Sequence, residues 1–424
     1  MRVLWICNRA IPAVSKHLNI KSDNKEGWLA GLSEKMLSNK KDNITLGICF
    51  PVPLEQAEYK GEYEVTAYGF YEDPVHFEIY DDRLEERFAK IYDDFKPDVI
   101  HIFGTEYGHT LAACRAATDK SRILIGIQGL CSVYSKHYFD GLPDEIINSY
   151  TLRDFLKKDN IAAQKNKFEI RGNHEIEALS LAGNITGRTD WDRHYSSEFS
   201  PNAKYHFMNE TLRTNFYGGR WKFEDCEKYS IFVSQGDYPI KGLHLLLEAM
   251  PDILKKYPDT KVYVSGNKVT GEDGLKKRIL IGSYGKYLRK LIKRNGLEDK
   301  VEFLGSLNAE KMKERYLRSN VYLSPSVMEN SPNSVGEAML LGVPIVSSDV
   351  GGVKNLIENG TEGFIYDALN VKALTESVCK MFELNGTDKM TEMTDNAVRH
   401  GSITHNGDTN YSRLMEIYED IVGR

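Results

Sequence analysis

The chain has 424 residues, of which 41% are hydrophobic and 27% charged, with 34 Gly and 13 Pro. That composition excludes a disordered or fibrous chain, and the length predicts two or three domains, each with its own core. The formal net charge of −6 argues against a dedicated nucleic-acid binder, which would carry a basic surface.

The opening MRVLWIC is apolar and then turns polar. It is too short for a secretory h-region and reads as a first strand. No apolar run approaches the roughly 20 residues that a membrane span needs. DNITLGICF, PDVIHIF and RILIGIQ follow as further short apolar runs, separated by stretches such as 28–37 and 110–117. The second half repeats the theme. KYSIFVS, KVYVSG, KVEFLG, NVYLSPS and VPIVSS read as strands, with helical stretches over 242–256, 276–294 and 308–318. Buried strands alternating with helices mean parallel sheets covered on both faces. The expected fold class is α/β, with two doubly wound layers.

TNFYGGRWKFEDCEK, 214–228, lacks a clean period and takes the boundary. The domains are therefore expected at 1–215 and 216–405. A last amphipathic helix within 406–424 puts Leu414, Ile417, Tyr418 and Ile421 on one face. It is free to cover either domain, including the first. Cys7, Cys49, Cys114, Cys131, Cys226 and Cys379 form no Cys-x-x-Cys pair. They read as reduced thiols packed as small hydrophobes in a cytoplasmic protein. His101, His109 and His137 are dispersed, so core or surface roles are preferred over metal ligation, and no metal is expected. His109, near Glu106, is a candidate to line a cleft.

Ligands of open α/β sheets bind beyond the C-terminal strand ends. The segment SPSVMENSPNSVGEAMLLGVPIVSSDVGG, 324–352, is the most informative. A strand ends near Ser324. A loop carries Glu329, Asn330 and Pro332. A helix begins near Asn333 or Ser334 and stops at Gly342. A helix start offers free N–H groups and the positive end of its dipole to a phosphate. Glu329 and Glu337 flank it and suit hydroxyl groups of a ribose or a sugar. Ser334-x-x-Glu337 also spells a capping box, in which Glu337 would only tie back the helix start. Glu329 taken alone reads as a solvated loop carboxylate. In FVSQGDYPIKGLHLLLEAMP, 232–251, Lys241 sits at a strand-to-helix turn. There it can reach a phosphate as a point charge, or stay solvated.

Together these segments resemble the retaining GT-B glycosyltransferases of family 4, the group 1 glycosyl transferases. The E-x7-E motif is Glu329 to Glu337 inside ENSPNSVGEAM. GVPIVSSDVGG, EGFI at 362–365 and VEFLG at 301–305 add to the likeness. The resemblance implies a GT-B fold, two Rossmann-like domains facing a central cleft. It implies that Glu337 binds the nucleotide ribose and Glu329 the donor sugar's hydroxyls. The backbone of Pro332, Asn333, Ser334 and Val335 would cradle the distal phosphate, and Lys241 would bind phosphate as a catalytic group. Leu304 and Gly305 fall where a base contact is made. The family's accompanying Arg is absent, with Gln235 and Gly236 in its place, so Arg188 and Arg213 become candidate substitutes.

In the first half, Asn24 to Trp28 resembles the family's loop beside donor phosphates and acceptor, with Gly27 as its one glycine. Gln128 stands where a His is often found, and a Gln can only orient by hydrogen bonds. Glu106 and Arg188 complete the candidate acceptor residues. GRTDWD at 187–192 resembles a subgroup that makes bacterial surface glycans. Asp190 and Asp192 read as structural there rather than as a metal pair. The implied protein is a metal-independent hexosyltransferase without a cofactor. It would use a UDP or GDP sugar and a glycan or lipid-linked sugar acceptor, in polysaccharide or glycolipid synthesis. The alternatives are a nucleotide-sugar-binding GT-B protein with weak or lost turnover, and a GT-B epimerase or phosphorylase. The basic stretch Lys276 to Arg294 offers a peripheral contact to the inner membrane surface, against the preferred reading of a solvated outer face.

Overall fold

The computed structural model describes residues 1–18, 27–39, 43–271 and 280–423. The chain forms two compact units. One comprises Met1–Ser135, Lys167–Arg213 and His405–Arg424, and the other Lys136–Asn166 and Thr214–Thr404. Residues 136–166, placed by the sequence reading in an unbroken first domain, thus group with the second unit.

The first unit holds an eight-stranded sheet in the order β3-β4-β2-β1-β5-β6-β7-β8. Its strands are β1 (Arg2–Ile6), β2 (Thr45–Pro51), β3 (Lys60–Glu62), β4 (Thr66–Phe70), β5 (Val99–Phe103), β6 (Ile123–Gly126), β7 (Asn184–Gly187) and β8 (Lys204–Phe207). Every pairing is parallel except that of the edge strand β3 with β4. β5 and β6 are buried at every position. This is why they read as continuous apolar runs rather than alternating ones. The strand order turns between β1 and β5, which places a crevice at their C-terminal ends.

The helix Gly407–Val422 returns to this unit and buries Leu414, Ile417, Tyr418 and Ile421 in a core with Val3, Trp5 and Leu124. Trp5 Nε1 donates to Tyr418 Oη at 2.9 Å, and Tyr418 Oη lies 2.7 Å from His101 Nδ1. Burial pushes His101 down to about 3, so the ring is neutral. Tyr418→Phe strands both partners without changing the apolar contacts. We expect it to cost at least about 1–3 kcal/mol in denaturant unfolding. An unchanged midpoint would mean the hydroxyl holds nothing.

The second unit has a six-stranded, all-parallel sheet in the order β11-β10-β9-β12-β13-β14. Its strands are β9 (Glu227–Val233), β10 (Lys261–Ser265), β11 (Val301–Gly305), β12 (Ser319–Ser324), β13 (Ile345–Ser348) and β14 (Phe364–Tyr366). The order turns between β9 and β12. The helix Leu243–Lys256 follows β9 and Asn333–Leu341 follows β12. Two α/β units with parallel sheets are thus what the alternation of apolar runs predicted. Of the basic stretch 276–294, the structure shows a helix over Ser283–Arg294, and Lys276 to Arg278 lie outside the described residues, as do Asn24 to Glu26. Among the described residues no helix is long and apolar enough to cross a membrane.

Candidate functional site

The two loops singled out in the sequence meet at the switch point of the second sheet. Lys241 ends a short turn, Pro239–Lys241, after β9, and Glu329 lies in the loop after β12. Lys241 Nζ reaches Glu329 Oε1 at 2.5 Å, and Ser326 Oγ donates to the same oxygen at 2.8 Å. Burial works against the Lys241 charge, but the facing Glu329 carboxylate outweighs it and holds the amine above its ordinary value. Neither residue is a solvated loop charge.

Glycines let the backbones come this close. Gly242 has φ +67°, and a Cβ there would lie 1.8 Å from the Pro325 carbonyl oxygen. Gly351 has φ +52°, and a Cβ would lie 1.6 Å from the Glu329 carbonyl oxygen. The Val327 N–H donates to Ile240 O at 2.8 Å, and the Gly352 N–H donates to Asn330 O at 2.7 Å. Ser348 Oγ ties β13 to Ser326 O at 2.5 Å. The loop holding Glu329 is thus clamped from both sides by main-chain contacts.

The helix begins at Asn333 with Pro332 as its N-cap, and no side chain caps it. This corrects the capping-box reading. Ser334 lies inside the first turn, where its Oγ accepts from Tyr322 Oη at 2.7 Å. Ser234 Oγ lies 3.0 Å from the same hydroxyl. The first intrahelical bond is made by the Val335 N–H to Pro332 O at 2.9 Å. The Asn333 and Ser334 amides therefore precede the ladder, at the positive end of the helix. Glu337 is buried one turn further on.

The other candidate residues of this unit follow along the strand ends. Gln235 is half-buried after β9, and its side chain faces Gly266 at the end of β10. The Gly266 N–H and Ser265 Oγ both donate to Gly305 O, at 3.1 and 3.3 Å. Leu304 and Gly305 close β11. The structure thus brings Gln235, Lys241, Leu304, Gly305, Glu329, Glu337 and Pro332 to Val335 to one edge of one sheet.

The remaining candidates belong to the first unit. Gly27 and Trp28 open the helix Gly27–Ser38. Glu106 follows β5, close to Asn8 after β1, with Gly104 (φ +87°) between them. These stand at that sheet's own switch point. Gln128 and Arg188 converge on a residue the sequence reading missed. Gln128 Nε2 donates to Glu210 Oε1 at 2.6 Å, and Arg188 Nη1 donates to it at 2.5 Å. They line a small pocket with His101, Thr186 and Asn410. His109, read as a core or surface residue with cleft lining as an alternative, is buried against Glu72, with Nδ1 2.8 Å from Oε2. Asp192 completes a capping box with Thr189 for the helix Asp190–Phe199, a structural role. Among the described residues, no group of three or more His, Cys, Asp or Glu is placed to hold a metal ion.

Residues 219–400 match the family described as Glycosyl transferases group 1, so this stretch is a glycosyltransferase group 1 domain. A curated relative, an uncharacterized glycosyltransferase of Methanocaldococcus jannaschii, is 33% identical over 140 residues. That alignment spans 33% of this chain and 32% of the relative's length. The solved sucrose-phosphate synthase of Thermosynechococcus elongatus superposes with a TM-score of 0.71 at 13% identity, covering 100% of this chain and 99% of that one. HepE of Anabaena, solved with UDP and glucose, gives a TM-score of 0.67 at 16% identity, with coverage of 99% and 100%. The likeness to these two is one of fold, and the fold is GT-B.

Proposed function

We propose, from the premise of a group 1 glycosyltransferase domain over residues 219–400, that the protein transfers a sugar from a nucleoside-diphosphate donor to an acceptor hydroxyl. Transfer retains the anomeric configuration and uses no metal. The product is a polysaccharide or glycolipid, and the acceptor is a glycan or a lipid-linked sugar. The observation that carries this reading is the Lys241–Glu329 pair, held beside the start of the helix Asn333–Leu341.

In this reading the bond between the anomeric carbon and the diphosphate breaks as negative charge collects on the leaving group. The most effective help a protein can give is positive potential fixed in place beforehand. Lys241 supplies a charge that its environment keeps protonated. The amides of Asn333 and Ser334, which precede the helical ladder, supply the rest. Glu329 exchanges part of its bond to Lys241 for the donor sugar's hydroxyls and keeps the ring in register. Glu337 accepts from the ribose diol, and Leu304 and Gly305 meet the base, uracil or guanine. In the other unit, Gly27, Trp28, Glu106, Gln128 and Arg188 serve the acceptor. Gln235 adds a hydrogen bond without charge, so Lys241 carries the leaving-group charge in this unit.

The test is thermal unfolding with UDP, GDP, ADP and CDP, for wild type and Glu337→Ala. A ligand at 100 times its dissociation constant stabilises by about 2.7 kcal/mol, which moves melting by several degrees. One nucleotide should shift wild type, and the variant should lose that shift. No shift with any nucleotide would sink the reading. A shift without product from the matching sugar donor and any acceptor would leave a binding protein.

A further inference from the structure

The segment 136–166 contains a helix built inside out. In Leu152–Lys157 the buried residue is Asp154. Leu152, Phe155 and Leu156, at i, i+3 and i+4, share one face and are 54%, 66% and 63% exposed. Tyr150, just before them, is 56% exposed. An ordinary surface helix buries the stripe that this one displays.

The carboxylate sets the orientation. Asp154 accepts the Ser283 N–H at 3.0 Å and the Ser283 hydroxyl, both at the start of the helix Ser283–Arg294. It also closes a capping box with Thr151. A buried carboxylate is costly unless its oxygens are satisfied. Those bonds therefore fix which face turns inward and leave the apolar face outside. Leu280, two residues before Gly282 and Arg153's contact there, adds another side chain that is 61% exposed.

We propose that this face docks on an anionic lipid bilayer, with Tyr150, Leu152, Phe155 and Leu156 entering the interface. Charge selects the bilayer over a protein partner. Lys157 and Lys158 continue directly from the apolar face, are exposed, and make no ion pair among the described residues. The helix that anchors Asp154 carries Lys286, Arg289, Lys290, Lys293 and Arg294 and no acidic residue. Lys290 is paired with Glu145, while Lys286, Lys293 and Arg294 stand exposed. Apolar side chains beside lysines suit a lipid interface. The rings and branched chains reach the acyl boundary, and the ammonium groups extend to the phosphates. A second copy of the chain would set the same cations against each other.

The test is co-sedimentation of the full chain with vesicles of equimolar phosphatidylcholine and phosphatidylglycerol, against phosphatidylcholine alone. Wild type should pellet with the mixed vesicles at least about tenfold more strongly, and high salt should release it. Phe155→Asp combined with Leu156→Asp should lower partitioning about tenfold or more. Lys157→Glu combined with Lys158→Glu should do the same and flatten the salt dependence. Both variants should melt as wild type does and keep its nucleotide response, because these side chains face solvent. Failure of wild type to bind mixed vesicles overturns the proposal, and so does unchanged binding by the two variants. Self-association in sedimentation velocity that these variants abolish would overturn it in favour of a second copy. None of these outcomes bears on whether a nucleotide binds, so the proposal stands or falls apart from the proposed reaction.

Discussion

Lys241→Met is expected to lower turnover by about a hundredfold to a thousandfold, the usual effect of deleting one preorganised donor at a developing anion. Donor affinity should change much less, because the lysine's charge matters most once the bond to the diphosphate is breaking. The same substitution has a second expected effect in the free protein. Glu329 keeps Ser326 but loses its cation. Breaking a buried ion pair by removing one partner costs about 3–5 kcal/mol, and the lower part of that range fits here. The two side chains retain 18% and 12% of their exposure, so water still screens them. Lys241→Met combined with Glu329→Gln should regain most of the stability and none of the turnover. Single-turnover rates and denaturant midpoints read the two effects separately. Turnover of the single variant within about threefold of wild type would remove Lys241 from the chemistry.

Gly351→Ala should damage the same site through the backbone alone. The added Cβ would overlap the Glu329 carbonyl, and a peptide group has no rotamer through which to yield. The positive φ costs an alanine about 1–2 kcal/mol, and overpacking adds about 1–3. A total near 2–5 kcal/mol is expected in denaturant unfolding. Because Glu329 moves with its own carbonyl, donor affinity and turnover should fall together, unlike the lysine variant. Gly360→Ala is the control. It has φ +85° and nothing within 4 Å of the new methyl, so only the conformational cost applies. If Gly351→Ala is no worse than Gly360→Ala, the close approach does not constrain the loop.

The donor-side candidates were legible because each is a short loop that directly follows an apolar strand. Lys241 and Glu329 fall where two central parallel strands end, and runs such as NVYLS show those ends plainly. The helix start was harder. Ser334 looks like a cap until Tyr322, twelve residues away on β12, takes its hydroxyl. No local pattern reports that partner. Glu210 was missed because it follows β8, an edge strand (KYHF) whose mixed polarity gives no strand signal. The helix Ile161–Leu181 was missed for a similar reason, since its polar sequence has almost no amphipathic bias. Within it, Glu175 accepts from Thr105, Cys131 and Ser132, and burial pushes it up to about 7. The grouping of 136–166 with the second unit rests on contacts such as Asp154 to Ser283, which span 129 residues of chain. Hydrophobic periodicity sees neighbours within a helix or strand, and not partners at that distance.

The bond between Trp5 and Tyr418 joins residues 413 positions apart, and this sets a timetable for biosynthesis. A ribosome adding about 5–20 residues per second needs roughly 20–80 s to travel from the first strand to the helix that covers it. During that interval Val3, Trp5 and Leu124 wait without their last layer. The second unit needs nothing beyond Thr404, so it can close while the first is still open. The first strand is therefore the segment that waits longest for the layer that covers it.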